Sequence, residues 1–214
     1  MKFSIEKLRP TRNGMTISRD SKLGNSTKVT YFSMGKDTSI SQESYDRMTM
    51  YIGASGWGEF IIGEEPEIIK LQPDELLIVP AGTLCGMQTS NGIVYTEIIC
   101  TGKDINMNAN VKTNEVFALK NLISYEEGSI ANMDVVSTPD MKYVLMAFDE
   151  GTGLTPHRAP GNAIVFALEG KATIGYEGKD YELSEGECFR FEKNGLHSVT
   201  ANGKFKMALL LVLE

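Results

Sequence analysis

The apolar residues of the chain fall in short runs, and turn-forming residues separate those runs at regular intervals. One set of runs lies at 28–34, 47–52, 58–62, 67–71, 75–79 and 93–100. A second set lies at 142–149, 163–168, 171–176, 179–183, 187–191 and 205–213. Between them stand Gly53 and Gly56, Gly63-Glu64-Glu65-Pro66, Gln72-Pro73-Asp74, Glu169-Gly170, Glu177-Gly178 and Ser184-Glu185-Gly186. Gly, Pro and Asp at such points supply the dihedral angles that tight turns need. Short strands punctuated this often predict an all-β sandwich or barrel. No stretch predicts a helix of useful length, and only 114–124 predicts a helical turn or two.

The two sets of strands repeat one another. The stretch from Asp74 to Cys85 aligns without gaps on the stretch from Gly186 to His197. Upstream, Gly56 falls opposite Gly170 once the Gly63–Pro66 loop is allowed two extra residues. Repetition of strand spacing and turn position predicts two similar β domains in tandem. The boundaries read as an N-terminal arm over 1–27, a first barrel over 28–101, a polar linker over 102–117 and a second barrel over 118–214. The arm is expected to pack on one of the barrels.

Composition narrows the partners. The 21 Lys and Arg residues are outweighed by 28 Asp and Glu, for a net charge of −7. Such a surface repels phosphate backbones and anionic headgroups, which argues against nucleic acid and membrane partners. The longest apolar runs, such as 207–213, fall far short of the ~20 residues of a membrane helix. The N-terminus lacks an apolar signal core. Three cysteines, Cys85, Cys100 and Cys188, form no C-x-x-C pair and no even framework. They fit a reduced, cytoplasmic setting. There are only two histidines, His157 and His197.

The spacing of a few residues resembles the cupin family. Its first motif is written G-x5-H-x-H-x3-E-x6-G, and Gly151, His157 and Gly170 stand at three of its positions. Its second motif is written G-x5-P-x-G-x2-H-x3-N; Gly186 and His197 match it, with Glu192 at the proline position and Asn194 at the second glycine. The first half keeps Pro80-Ala81-Gly82, with Cys85 where the histidine would be. The resemblance covers about 28–99 and 119–213. It implies tandem double-stranded β-helix (jelly-roll) barrels, a bicupin, and with them a homodimer. Metal-binding cupins hold a divalent ion with three histidines and a glutamate, and this chain has Ala159 and Ala163 at two of those four positions. The first half offers Glu43, Tyr45, Thr49 and Cys85 in roughly the corresponding places. The string from His157 to Ala163 resembles small bacterial cupins of the cupin-2 type.

On that fold His157 and His197 face each other inside one barrel. Two imidazoles can hold a transition metal (Zn, Ni, Fe, Mn or Cu), or can form a neutral pair that orients a ligand. Glu192, five residues before His197, is a candidate replacement ligand or acid–base group, against the reading of a solvated loop residue. Arg190 is a candidate anchor for an acidic ligand, against an outer-face ion pair. Arg158, which alternates away from His157 on a strand, is expected to face solvent or the other subunit. Cys85 reads as a small buried thiol, and the first barrel as structural or as an apolar pocket of Met48, Met50, Tyr51, Trp57 and Met87. The glycines of 53–58 lack the setting of a phosphate loop, and no G-x-S-x-G elbow is present. Three functions compete: a small-molecule-binding protein using His157 and His197, a metal-dependent dioxygenase, isomerase or decarboxylase, and a dimerisation module built on 1–27.

Overall fold

The computed structural model describes every residue except Ser26, Lys103 and Glu214, which lie outside the described residues. The chain divides into two compact units. One holds Ile5–Thr101 and Ala109–Ala118; the other holds Met1–Ser4, Gly102–Asn108 and the chain from Leu119 on.

The chain opens with β1 (Lys2–Phe3) and the four-residue helix α1 (Ile5–Leu8). The N-terminal unit then runs through β2 (Thr16–Asp20), β3 (Lys28–Met34), β4 (Thr38–Ser44), β5 (Thr49–Gly56) and β6 (Gly58–Ile62). It continues with β7 (Glu67–Leu71), β8 (Glu75–Val79), β9 (Leu84–Thr89) and β10 (Ile93–Ile99). After β11 (Asn106–Met107) and β12 (Val116–Ala118), a 3₁₀ turn at Leu119–Asn121 leads into the second barrel. That barrel is built from β13 (Ile130–Ser137), β14 (Met141–Phe148), β15 (Gly153–Arg158) and β16 (Asn162–Tyr176). It is completed by β17 (Lys179–Ser184), β18 (Cys188–Phe191) and β19 (Leu196–Val212).

In the N-terminal unit a six-stranded sheet, β12-β8-β5-β10-β3-β2, is accompanied by a four-stranded sheet, β4-β9-β6-β7. The core lies between them. Tyr51, Leu77, Val79, Ile93 and Tyr95 from the first meet Phe60, Ile62, Leu71 and Met87 from the second. In the C-terminal unit the path is β1-β18-β16-β19-β14-β13-β11, with β15 on β19 and β17 on β16. Every N-terminal pairing has its counterpart here: β3 with β10 as β14 with β19, β5 with β8 as β16 with β18, and β4 with β9 as β15 with β19. The double-stranded β-helix is thus drawn twice, which is the architecture expected from the spacing of the strands.

The copies differ in continuity. β16 and β19 each run unbroken through positions where the N-terminal unit changes strand. The Glu169-Gly170 step, expected as a turn, is a bulged bend within β16. Its counterpart Gly56 ends β5. Both glycines have positive φ, +67° at Gly56 and +75° at Gly170. At each, a Cβ would lie 2.1 Å from a backbone carbonyl oxygen, that of Gly92 or of Lys204. Only glycine satisfies both demands.

Several strands lay in stretches read as connections. β4 and β15 expose most of their residues, so neither carries the alternation that announces a half-buried strand. The first 27 residues, expected as an arm, contribute β1 to one unit and α1 and β2 to the other. No helix among the described residues is long and apolar enough to cross a membrane. Cys85, Cys100 and Cys188 are thiols outside any disulfide among the described residues, with Cys100 and Cys188 buried.

Candidate functional site

β15 and β19 are antiparallel, and after a register shift between Leu154 and His157 they set His157 directly opposite His197. Directly opposed residues project from the same face of a sheet, so the two imidazoles meet, with ring centroids 4.3 Å apart and planes inclined at 53°. Each ring is held in the same way. Nδ1 of His157 lies 2.8 Å from the Thr155 carbonyl oxygen, and Nδ1 of His197 lies 2.9 Å from that of Gly195. A carbonyl only accepts, so Nδ1 carries the proton in both, and each neutral ring keeps a free lone pair on Nε2.

The environments of the two rings differ. His157 is exposed, whereas His197 is 7% exposed and stacks on Phe191 with centroids 4.2 Å apart. Burial holds the His197 pKa below its ordinary value; the Gly195 carbonyl opposes this, and the neighbouring His157 adds to it. A cavity of about 190 Å³ that reaches His197 is lined also by Pro156, Tyr176 and Leu196, with Lys179 and Asp180 among its polar lining.

The other positions of a cupin metal centre supply no ligand. Ala163 is 1% exposed, paired across the sheet with Phe191 and Leu211, and belongs to the C-terminal core. Ala159 contributes a backbone carbonyl, which accepts a hydrogen bond from the Asn194 amide at 3.0 Å. Among the described residues no three His, Cys, Asp or Glu side chains are placed to hold an ion. Two imidazoles and two methyl groups do not fit the three-histidine, one-carboxylate set.

Arg190 and Glu192 are brought to each other. Nε of Arg190 donates to the Glu192 carboxylate at 2.9 Å, with the side chains 26% and 60% exposed. On β18 the rings of Phe189 and Phe191 join the core, so Arg190, between them, projects from the opposite face. Its backbone carbonyl accepts a hydrogen bond from the Met1 amino group. Arg158 donates to the Asn194 carbonyl and lies 3.7 Å from Glu177 at the surface.

The N-terminal barrel holds what the sequence reading missed. Cys85 on β9 is paired with Glu43 on β4, in the register that β19 and β15 use for His197 and His157. Behind that pair lies a cavity of about 190 Å³ reached by Glu97, Tyr45, Tyr51, Tyr95 and Cys85. Of the expected apolar lining, Tyr51 and Met87 do reach the cavity. Met50, one residue from Tyr51, projects from the other face of β5, and Trp57 lies beneath the Lys70 ammonium at 3.9 Å. Glu97 is 5% exposed, and burial pushes its carboxyl up to about 7, against the opposing pull of Lys28 and of a hydrogen bond from Tyr45. Burial also raises the Cys85 thiol to about 11, although Tyr51 donates a hydrogen bond to it. The signal was present in the sequence: Glu97 is the one charged residue in the run Ile93–Ile99. It shares a strand face with Ile93 and Tyr95, at the position that Leu209 takes in the other barrel.

Two all-β barrels with a histidine pair at one of them define a double-stranded β-helix protein. Residues 144–213, about a third of the chain, match the family model described as the cupin domain. The fold is similar to that of a cupin 2 conserved barrel domain protein from Leptotrichia buccalis, at 24% identity over 99% of this chain and 96% of that one, with a TM-score of 0.87. It is also similar to that of salicylate 1,2-dioxygenase from Pseudoaminobacter salicylatoxidans with gentisate adducts. That likeness has 10% identity over 99% of this chain and 80% of that one, with a TM-score of 0.70. No curated protein matches the sequence.

Proposed function

We propose that this chain is a bicupin that binds a small molecule at His157 and His197 without a tightly held metal. The observation behind the reading is the common anchoring of the two rings. With both Nδ1 protons given to backbone carbonyls, two Nε2 lone pairs stand side by side as hydrogen-bond acceptors. Tyr176 and Leu196 supply the apolar part of the adjoining cavity. A ligand with a hydroxyl or amide donor and a small apolar body fits this chemistry.

The competing reading, a metal-dependent cupin enzyme of the dioxygenase, isomerase or decarboxylase kind, needs an ion on the same two nitrogens. Elemental analysis of untagged protein purified without chelators separates the two, run beside the His157→Ala/His197→Ala variant. Metal well below one ion per chain is the expected result, and native mass spectrometry of the same sample should show a bound small molecule that the double variant loses. About one transition-metal ion per chain, lost in the variant, would overturn the metal-free reading.

A further inference from the structure

The cavity of the N-terminal barrel is set apart by what surrounds it. Five aromatic side chains line it, Phe32, Tyr45, Tyr51, Phe60 and Tyr95, together with two carboxylates, Glu43 and Glu97, and no Lys, Arg or His. Four of the rings form one packed group: Phe32 stacks on Tyr95 with centroids 5.0 Å apart, and Tyr51 lies 6.0 Å from Tyr95 and 4.7 Å from Phe60. Glu97 is buried among them and accepts a hydrogen bond from Tyr45; Glu43 is exposed, toward the outer end of the cavity. Lys28 acts on the Glu97 charge but is not part of the lining.

Each class of ligand meets these groups differently. An anion would face two carboxylates across a low-dielectric space, which is strongly unfavourable. A neutral apolar ligand would strip water from Glu97 and hold it in its protonated form, gaining nothing from the carboxylate charge. A cation would give Glu97 a counter-charge and would also be attracted by the aromatic rings. In volume the cavity, about 190 Å³, exceeds the ~150 Å³ of an engineered cavity that accepts benzene, so a ligand of roughly six to eight heavy atoms fits.

We propose that the N-terminal barrel binds a small organic cation, an alkyl- or methyl-substituted ammonium ion, held by the Glu97 carboxylate within the ring of Tyr45, Tyr51 and Tyr95. The site is separate from the histidine pair and does not depend on the reading given to that pair. Choline and its uncharged carbon isostere 3,3-dimethyl-1-butanol serve as probes, compared by calorimetry on the intact protein at pH 8. Choline is expected to bind at least tenfold more tightly than the isostere, and Glu97→Gln to erase that difference. Nuclear Overhauser contacts from the choline methyl protons are expected on tyrosine ring protons of the N-terminal barrel. Equal affinity for the two probes in the wild-type protein, or no binding of either, overturns the proposal, and this arm stands even if Glu97→Gln fails to fold. Undiminished choline preference in folded Glu97→Gln, or contacts on the His157 and His197 rings instead, also overturns it.

Discussion

His157 and His197 face each other from β15 and β19 with ring centroids 4.3 Å apart, each donating its Nδ1 proton to the carbonyl two residues before it. Two protonated imidazoles at this distance repel, and only His197 is also desolvated. His197 is therefore expected to titrate below the ordinary histidine value of 6.5. Replacing His157 with alanine should move it part of the way back, because burial, the larger cause, remains. NMR titration of the ring protons checks both; a His197 titration at or above 6.5 in the wild-type protein would refute the assignment.

The same shift links to stability. A histidine whose folded pKa is depressed resists protonation in the folded state while the unfolded chain accepts the proton freely. The contribution of His197 is thus complete above 6.5 and is lost as pH falls through that value toward its folded pKa. The urea midpoint of the wild-type protein relative to that of His197→Ala should rise with pH between pH 5 and pH 6.5 and level off above it.

Neither histidine is needed to hold the barrel together. His157 is exposed, and its alanine variant is expected within about 0.5 kcal/mol of wild type. His197→Ala loses a buried ring stacked on Phe191 and should cost about 1–3 kcal/mol. The double variant should remain folded by circular dichroism while losing the small molecule. Loss of the folded state would make the pair structural.

Glu97 acts on stability with the opposite sign. Its folded carboxyl, at about 7 against an ordinary 4.5, holds its proton more tightly than the unfolded chain does. Folding is favoured below 4.5, and that advantage is lost as pH rises through about 7. The gap, at ~1.4 kcal/mol per pH unit, amounts to about 3 kcal/mol. Glu97→Gln cannot ionise, so its stability curve should lack the decline between pH 5 and pH 8. A variant whose curve parallels that of the wild type would show that Glu97 is ionised in the folded protein throughout.

Gly56 and Gly170 test the repeat. Alanine at either would combine a positive φ with a Cβ 2.1 Å from a carbonyl oxygen. Each substitution should cost at least ~2 kcal/mol, since the left-handed conformation alone costs ~1–2 and the backbone must also shift. Thermal denaturation gives the comparison, with Gly178→Ala as reference: its φ is also positive, but no atom lies within 4 Å of the added Cβ. If all three cost the same, the close approach is not what fixes glycine in the bends.

By itself the sequence determined the class of fold, the repeat of strands and turns, and the match of His157 and His197 to motif positions. Those properties are local. Strand and turn propensities act over a few residues, and the bends at Gly56 and Gly170 leave glycine in the chain wherever backbone crowds backbone. The sequence also showed that Ala159 and Ala163 cannot ligate, because a methyl group has no donor atom in any conformation. Only the tertiary structure decided which side chains share a space. It turned Arg190 and Glu192 toward each other, because alternation along β18 gives the inner face to Phe189 and Phe191. It set Glu97 within five aromatic side chains drawn from β3, β5, β6, β10 and the segment after β4. No window of sequence holds that cluster, since its members span residues 32–97 and meet only when the two sheets close. A carboxylate in a strand reads as exposed or buried only once the register assigns its face, and here register placed it inside.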